Sequence, residues 1–260
     1  MPDENNIEPI DNGPLAENTP SGKRTPTVPT SRRFVKTGIS GLDEMLGGGI
    51  PARHSVLVAG GPGCGKTSVC FEYLLRGALA GEKGLYISLE ETSDSILENA
   101  KAAFSDLTVQ IDQMVSEGMI LIEKPEKFDI MGVGDIVSAH ILNDQVSRVV
   151  IDSTTMLALT IKDEAEYRTT MYEFLQLLGG MECTTVLVYE RTSPRKEDIH
   201  FTIEQFVTDG MINLYNTERG ESRVRSLEIM KMRGAKHSQD IVPFKILPSG
   251  VKIFKGEKVY

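Results

Sequence analysis

The sequence predicts an α/β fold with a mostly parallel central sheet, helices on both faces and an antiparallel β extension at the C-terminal end. From Phe34 onward, short runs rich in Val, Ile and Leu alternate with longer amphipathic stretches, which is the pattern of buried strands joined by helices. After Tyr189 apolar residues alternate with polar ones, and turn residues separate the runs, which is typical of antiparallel strands.

The individual elements follow from these patterns. Each predicted core strand is a short apolar run, and each predicted helix carries apolar residues at three- and four-residue spacing. The strands are predicted at 55–59, 85–89, 119–122, 148–151 and 185–189, and the helices at 66–80, 94–104, 133–144 and 164–178. The antiparallel extension is predicted to comprise 211–215, 223–231 and 241–254, with turns at 218–220 and 248–250.

The first 32 residues differ from the rest of the chain. They contain six of the twelve prolines and no apolar run that could form a core, so we expect a disordered, Pro-rich tail followed by one domain over residues 33–260. Two roles stay open for the tail. It is either a solvated leader without function or a docking segment that ends in basic residues.

Composition limits the classes of function. The 28 Lys and Arg residues against 37 Asp and Glu give a formal net charge of −9, which disfavours non-specific binding to DNA. No apolar run approaches the roughly 20 residues of a membrane helix, and the N-terminus lacks the features of a secretory signal. The three cysteines form no CxxC pair. We therefore expect a cytoplasmic protein without a membrane partner.

The strongest motif is GGPGCGKT at residues 60–67, which we call the phosphate-binding loop. It follows a predicted strand and opens a predicted helix, so unpaired N–H groups of the helix N-terminus point at an anion. Cys64, beside Lys66 and this helix N-terminus, is expected to have a lowered pKa and to be sensitive to oxidation. The residues predicted to bind the phosphates of ATP are Gly61, Pro62, Gly63, Cys64, Gly65, Lys66, Thr67 and Ser68.

Mg²⁺ is the second predicted ligand of this loop. Lys66 supplies a positive charge, and Thr67 is expected to place its hydroxyl on the ion. Asp152 ends the predicted strand 148–151 and is expected to hold the same ion through water, because ligands collect at the carboxyl ends of parallel strands. The alternative role for Asp152 is to cap the segment that begins at Ser153.

Glu90 and Glu91 directly follow the predicted strand 85–89. At the carboxyl end of a strand beside the phosphate-binding loop, a carboxylate can polarise the water that attacks the γ-phosphate. Two acids in this place can instead be surface charge in the first turn of a helix, where negative charge is favoured.

Five separated motifs resemble those of the RecA-like ATPases of the KaiC group, over about residues 34 to 254. They keep the order and the spacing found in that family, and the segments ERT (190–192) and FVTD (206–209) are similar to it as well. The five are TGISGLD (37–43) with GGGIP (47–51), the phosphate-binding loop, LEET (89–92), VVIDS (149–153), and KMRG (231–234) with His237.

This resemblance implies a single-domain, RecA-fold P-loop ATPase that assembles with copies of itself, usually as a hexameric ring with ATP between subunits. It further implies that Lys231, Arg233 and His237 reach the nucleotide of the adjacent subunit, where cations stabilise the charge on the transferred phosphoryl group. Without the resemblance, these three residues would be basic residues of an ordinary exposed hairpin.

Three functions are consistent with these features. The leading one is slow, Mg²⁺-dependent ATP hydrolysis in a ring whose nucleotide state controls an unidentified protein partner. The first alternative is a recombinase-like paralogue that binds single-stranded DNA, and the second is a scaffold that binds ATP and hardly hydrolyses it. The residues relevant to DNA are Lys162, Arg191, Arg195 and Lys196, which Asp163, Glu164, Glu197 and Asp198 offset.

Autokinase activity is not expected. The clock ATPase that gives the group its name autophosphorylates in its second domain at adjacent Ser and Thr residues. Gln205 and Phe206 stand near the corresponding place in this chain, and neither can accept a phosphate.

Overall fold

The computed structural model describes residues 33–191 and 202–257, all within one compact unit, Arg32–Tyr260. The predicted tail at 1–32 lies outside the described residues, as does much of the loop that carries Arg195 and Lys196. The strands are β1 (Phe34–Val35), β2 (Ile50–Pro51), β3 (Ser55–Gly60), β4 (Gly84–Ser88), β5 (Ile120–Glu123), β6 (Arg148–Asp152), β7 (Thr184–Glu190), β8 (Gly210–Arg219), β9 (Ser222–Met232), β10 (Val242–Leu247) and β11 (Gly250–Ile253).

The helices join these strands across both faces of the sheet. They are α1 (Leu42–Met45), α2 (Lys66–Leu79), α3 (Ser93–Ala103), α4 (Thr108–Ser116), α5 (Ile130–Asp144), α6 (Thr154–Ala158), α7 (Glu164–Gly180) and α8 (Ile203–Val207), with a 3₁₀ turn at Ser105–Leu107.

The main sheet has the strand order β11-β10-β9-β8-β3-β7-β6-β4-β5. The strands from β8 to β5 in this order pair in parallel, and β9, β10 and β11 continue the sheet with antiparallel pairs. This arrangement confirms the predicted α/β class and its C-terminal antiparallel extension. One detail differs: residues 211–215, which the alternating pattern assigned to the extension, lie in β8, which is parallel to β3 and antiparallel to β9.

Two hydrophobic layers cover the sheet. One layer packs α2, α3 and α4 against side chains such as Tyr86 and Val150. The other packs α5 and α7 against the alternate residues of the same strands, including Leu85 and Ile151. Helices on both faces, as predicted, leave the carboxyl ends of the parallel strands as the open edge where a ligand can bind.

The first motif, TGISGLD, folds back on itself before the sheet begins. The Asp43 carboxylate accepts hydrogen bonds from the Thr37 backbone N–H at 2.7 Å and from the Thr37 hydroxyl at 2.8 Å. This contact anchors α1 beside the core. Among the described residues, no helix combines the length and the apolar character needed to cross a membrane.

Candidate nucleotide-phosphate site

The phosphate-binding loop connects the end of β3 to the start of α2, as its motif predicts. Two glycines are required by close packing. A Cβ on Gly60 would lie 2.6 Å from the Leu214 backbone oxygen, and Gly65, with a φ of +100°, would place a Cβ 2.9 Å from Ile246 Cδ1. Only glycine fits both positions without strain. The chain can therefore turn tightly enough to direct the N–H groups of α2 into the space above the loop.

That space is a cavity of about 380 Å³ at the carboxyl edge of the parallel strands. Residues from the loop, from three other parallel strands or the turns that follow them, and from the antiparallel extension contribute to its walls. They are Pro62, Gly63, Gly65, Lys66, Thr67, Ser68, Ser88, Glu90, Glu91, Asp152, Glu190, Arg225 and Ile246.

Lys66 is the central cation of the cavity and only 8% exposed. Its ammonium donates to the Gly61 carbonyl at 3.2 Å and to Glu190 Oε1 at 3.1 Å. Glu190 is the last residue of β7, so it stands at the same edge as Asp152, which ends β6, and the two acids that follow β4. The sequence analysis assigned it no role, although its place at the carboxyl end of an apolar run was a usable signal.

Asp152 ends β6 and faces Thr67. Thr67 Oγ1 lies 3.4 Å from Asp152 Oδ2, and the buried Tyr86 hydroxyl donates to the same oxygen. Burial raises the pKa of Asp152, and the hydrogen bond from Tyr86 and the charge of Lys66 oppose that shift. Since the N-cap of α6 is Ser153 and the Asp152 carboxylate bonds elsewhere, the capping role is not what the geometry supports.

A magnesium ion fits this set of donors. A threonine hydroxyl and a carboxylate are oxygen ligands of the kind that Mg²⁺ prefers, and the ion usually takes only one or two from the protein and the rest from phosphates and water. In keeping with this, the described part of the chain holds no group of three or more His, Cys, Asp or Glu side chains arranged as a metal site.

Glu90 and Glu91 both line the cavity but bond to different parts of the fold. Glu90 Oε1 accepts a hydrogen bond of 2.6 Å from the fully buried Ser153 hydroxyl, which follows Asp152. Glu91 Oε2 accepts from Ser95 at 2.7 Å and from Asn99 at 2.9 Å, both on α3. Glu90 is thus held beside the Asp152 carboxylate, whereas Glu91 fastens the start of a helix.

The antiparallel extension adds a cation that the sequence analysis missed. Arg225 of β9 donates from Nε to the Gly63 carbonyl at 3.2 Å, and Asn216 of β8 donates to the same oxygen at 3.3 Å. Within residues 33–191 and 202–257, Arg225 forms no salt bridge. No sequence signal distinguished it, because only the pairing of Asn216 with Arg225 brings β9 to the loop.

Lys231, Arg233 and His237 lie away from this cavity. Arg233 N–H donates to the Asp209 carbonyl, and Asp209 N–H donates to the carbonyl of Ser55, the first residue of β3. The phosphate-binding loop begins at Gly60, at the other end of β3. Five residues of strand, about 16 Å, therefore separate Ser55 and the residues bonded near it from the loop. His237, whose ring contacts the Ser238 carbonyl at 2.9 Å, is attached by Ser238 N–H to α1. The structure does not bring these residues to the nucleotide site of their own subunit.

Lys231 is a partly buried cation at the end of the parallel strands opposite the cavity. Its ammonium donates to the Thr208 carbonyl at 2.5 Å. Burial lowers the pKa of Lys231, and the neighbouring Arg233 charge lowers it further, against the opposing effect of Asp209.

Cys64 contradicts the expectation of a reactive thiol. Its side chain is 1% exposed, and burial raises the pKa of the thiol although Lys66 and nearby N–H groups oppose that effect. Proximity to a helix N-terminus lowers a thiol pKa only where the thiolate stays solvated.

Comparisons with known proteins agree with this geometry. A family model described as ATPase: KaiC matches residues 35–258. A UPF0273 protein of Thermotoga maritima is 33% identical over 240 residues, which cover 86% of this chain and 96% of that protein. The circadian clock oscillator protein KaiC of Synechococcus elongatus is 31% identical over 231 residues.

The lengths matched differ between these relatives. The aligned part is 85% of this chain but only 44% of the Synechococcus clock protein, so the chain spans less than half of that relative. Among solved structures, the KaiC-like protein PH0186 of the archaeon Pyrococcus horikoshii is 30% identical with a TM-score of 0.75, and the match covers 86% of this chain and 100% of that one.

Proposed function

This chain belongs to the KaiC family of ATPases, and from that membership we propose that it binds ATP with Mg²⁺ and hydrolyses the ATP to ADP and phosphate. The observation that carries the proposal is the joint presence of Lys66, Thr67, Asp152 and Glu90 around one cavity. Phosphoryl transfer to water requires three features: a loop that binds the phosphates, oxygen ligands for a metal, and a carboxylate that acts as a base.

The phosphate-binding loop holds the nucleotide. Its glycines let the backbone wrap the phosphates, and the N-terminus of α2 directs N–H groups at them. Lys66 adds a buried positive charge, for which the phosphates compete with Glu190 at 3.1 Å. Thr67 and Asp152 would hold Mg²⁺, which when bound neutralises charge on the β- and γ-phosphate oxygens.

Glu90 is the proposed general base. Its carboxylate accepts a proton from water while the water oxygen bonds to the γ-phosphorus, and the bond from that phosphorus to the bridging oxygen of ADP breaks. Lys66 stabilises the negative charge that develops on the departing ADP. Ser153, which donates to Glu90 at 2.6 Å, keeps the carboxylate oriented towards the cavity.

A second copy of the chain completes the site in this proposal. Lys231 and Arg233 lie about 16 Å, or five residues of strand, from their own phosphate-binding loop, so they can act on a nucleotide only if it is bound by another subunit. A head-to-tail contact that repeats with the same rotation closes into a ring, and the family resemblance favours six subunits. His237 follows these two residues and is proposed to approach the same nucleotide.

The proposal extends to a regulatory role and to the location in the cell. We propose that hydrolysis is slow, that the nucleotide state controls a protein partner, and that the protein acts in the cytoplasm. Nothing in the described residues favours single-stranded DNA as the partner: Arg191, one of the residues considered for it, bonds to Asn213 and lies over the Tyr215 ring.

Phosphate release and light-scattering mass with and without Mg-ATP test the proposal. The parent chain is expected to release phosphate only with Mg²⁺ and to form a ring, and Lys66→Ala is expected to abolish turnover. A parent chain that binds ATP without turnover would support the scaffold alternative instead. A chain that neither binds ATP nor associates would refute the proposal.

A further inference from the structure

We propose that Tyr86 is a positioning residue for the metal-binding carboxylate, a role that neither the sequence motifs nor the family comparison assigns. The Tyr86 hydroxyl donates to Asp152 Oδ2, the oxygen that also faces Thr67. The inference rests on the proposed function, because it concerns how tightly the chain holds Mg²⁺ with a nucleotide.

The pairing of β4 with β6 brings these groups together. Tyr86 lies opposite Val150 and Ser88 lies opposite Asp152 in a parallel register, so Tyr86 and Asp152 are diagonal neighbours on one face of the sheet. This is the face covered by α2, whose first turn carries Thr67. The tyrosine ring is 0% exposed, so the core fixes the direction in which its hydroxyl points.

The two oxygens of the Asp152 carboxylate differ in their hydrogen-bond partners. Oδ2 accepts from Tyr86 and lies 3.4 Å from the Thr67 hydroxyl. Within the described residues, no side chain or backbone group donates to Oδ1. A carboxylate fixed through one oxygen would keep the other available to hold Mg²⁺ through water, and hydrogen-bond partners of this kind orient a metal ligand.

A second buried tyrosine provides a control that distinguishes positioning of Asp152 from an effect on core packing. Tyr73 lies in the same hydrophobic layer and is 2% exposed, but its hydroxyl donates to the Thr184 carbonyl at 3.4 Å. Tyr73→Phe therefore removes a buried hydroxyl without touching Asp152, and it is the matched control for Tyr86→Phe. Both variants keep the aromatic ring and hence the packing of the core.

The experiment is a Mg²⁺ titration of fluorescent mant-ADP binding, with a metal-free arm in EDTA, on the parent chain and both variants. Loss of an outer-sphere partner typically lowers metal affinity 10- to 100-fold, so the half-saturating Mg²⁺ concentration should rise at least about tenfold in Tyr86→Phe. Binding in EDTA should match the parent, excess Mg²⁺ should restore tight binding, and Tyr73→Phe should titrate like the parent.

Four results would overturn the inference. An unchanged Mg²⁺ midpoint in Tyr86→Phe would mean that the hydroxyl does not position the ligand. Equal loss in both variants, or equal loss in EDTA, would mean that the effect is structural. Failure of the parent chain to bind mant-ADP under any condition would instead refute the proposed function, and the inference with it.

Discussion

At the residue scale, the two adjacent acids after β4 have different hydrogen-bond partners. Glu90 bonds to Ser153 beside Asp152, and Glu91 bonds to Ser95 and Asn99 on α3. The sequence analysis treated the pair as one feature. The side-chain contacts separate Glu90, the proposed base in the cavity, from Glu91, which holds the start of α3 in place.

Substitution of these acids one at a time tests that division. Glu90→Gln is expected to lower kcat about 10²- to 10⁴-fold, the usual contribution of a general base, while ATP affinity is retained. Glu91→Gln keeps a hydrogen-bonding group towards α3 and should reduce kcat far less. Steady-state kcat and KM for both variants check this, and a larger kcat loss in Glu91→Gln would reverse the assignment.

Residues within a motif or at a strand end were the predictable part of the candidate site. Lys66, Thr67, Asp152 and Glu90 could be placed because a motif or the carboxyl end of an apolar run marks each of them. Tyr86 and Arg225 could not be placed, because their contacts depend on which strands pair and on how far a side chain reaches across them.

At the scale of single elements, β9 carries cations at both of its ends. Arg225 lies near the turn with β8 and reaches the phosphate-binding loop of its own subunit, whereas Lys231 lies five pairs further along the hairpin, at the opposite end of the parallel strands. One strand thus connects the subunit's own phosphate-binding loop to the surface that is proposed to meet the next subunit.

Arg225→Ala tests the first of these contacts. Its guanidinium lines the cavity and holds the Gly63 carbonyl at 3.2 Å, and a hydrogen bond from a charged group contributes about 1.5–3 kcal/mol. Nucleotide affinity should therefore fall about tenfold or more, as measured by mant-ADP binding. Arg223→Ala, on the same strand and 59% exposed, is the control. Equal affinities in the two variants would remove Arg225 from the site.

His140 joins α5 to the end of β5 in a pH-dependent way. Its Nε2 lies 2.7 Å from Glu123 and its Nδ1 lies 2.7 Å from Asp144. An ionised carboxylate accepts hydrogen bonds and cannot donate them, so this geometry favours the protonated ring, in which both nitrogens donate. Burial acts to lower the pKa of His140, but the hydrogen bonds and charges of Glu123 and Asp144 outweigh burial and raise the pKa above its ordinary value.

The sign of the stability effect follows from this shift. A raised folded-state pKa stabilises the native state fully below the unfolded pKa of about 6.5, and the stabilisation is lost as the pH rises through the folded-state pKa. Urea unfolding should find His140→Gln less stable than the parent at about pH 6, by up to about 1 kcal/mol because both carboxylates are partly exposed. The difference should vanish at about pH 9. An equal difference at both pH values would contradict the ionic role.

The elements themselves were predictable where the chain repeats a pattern for long enough. The five apolar runs became β3 to β7, and the four long amphipathic stretches became α2, α3, α5 and α7, most of them within two residues. Helices α1, α6 and α8 have only four or five residues, too few for a period to appear. The parallel pairing of β8 with β3 depends on how the chain crosses the sheet, which its local alternation does not encode.

At the scale of the whole molecule, the two edges of the sheet carry two halves of one proposed catalytic site. The carboxyl edge holds the phosphate-binding loop, Asp152 and Glu90. The opposite edge holds Lys231 and Arg233, where burial and the neighbouring charge lower the pKa of Lys231. A cation placed in this way is stabilised when it meets the negative charge of a nucleotide on another subunit.

The central claim, that each ATP is hydrolysed between two copies of the chain, is tested most directly by mixing inactive variants. Lys66→Ala retains Lys231 and Arg233 but lacks an intact phosphate-binding loop, and Lys231→Ala retains the loop but lacks Lys231. Each variant alone should therefore be nearly inactive. When equal amounts are mixed and allowed to exchange subunits, about a quarter of the sites should combine an intact loop with an intact neighbour, because the proposed interface is head-to-tail.

Phosphate release is the measurement. The mixture is expected to recover activity approaching a quarter of the parent rate, while each variant alone stays near zero. A mixture no more active than its components, or a Lys231→Ala variant as active as the parent, would contradict a shared site and leave an ATPase that works within a single subunit.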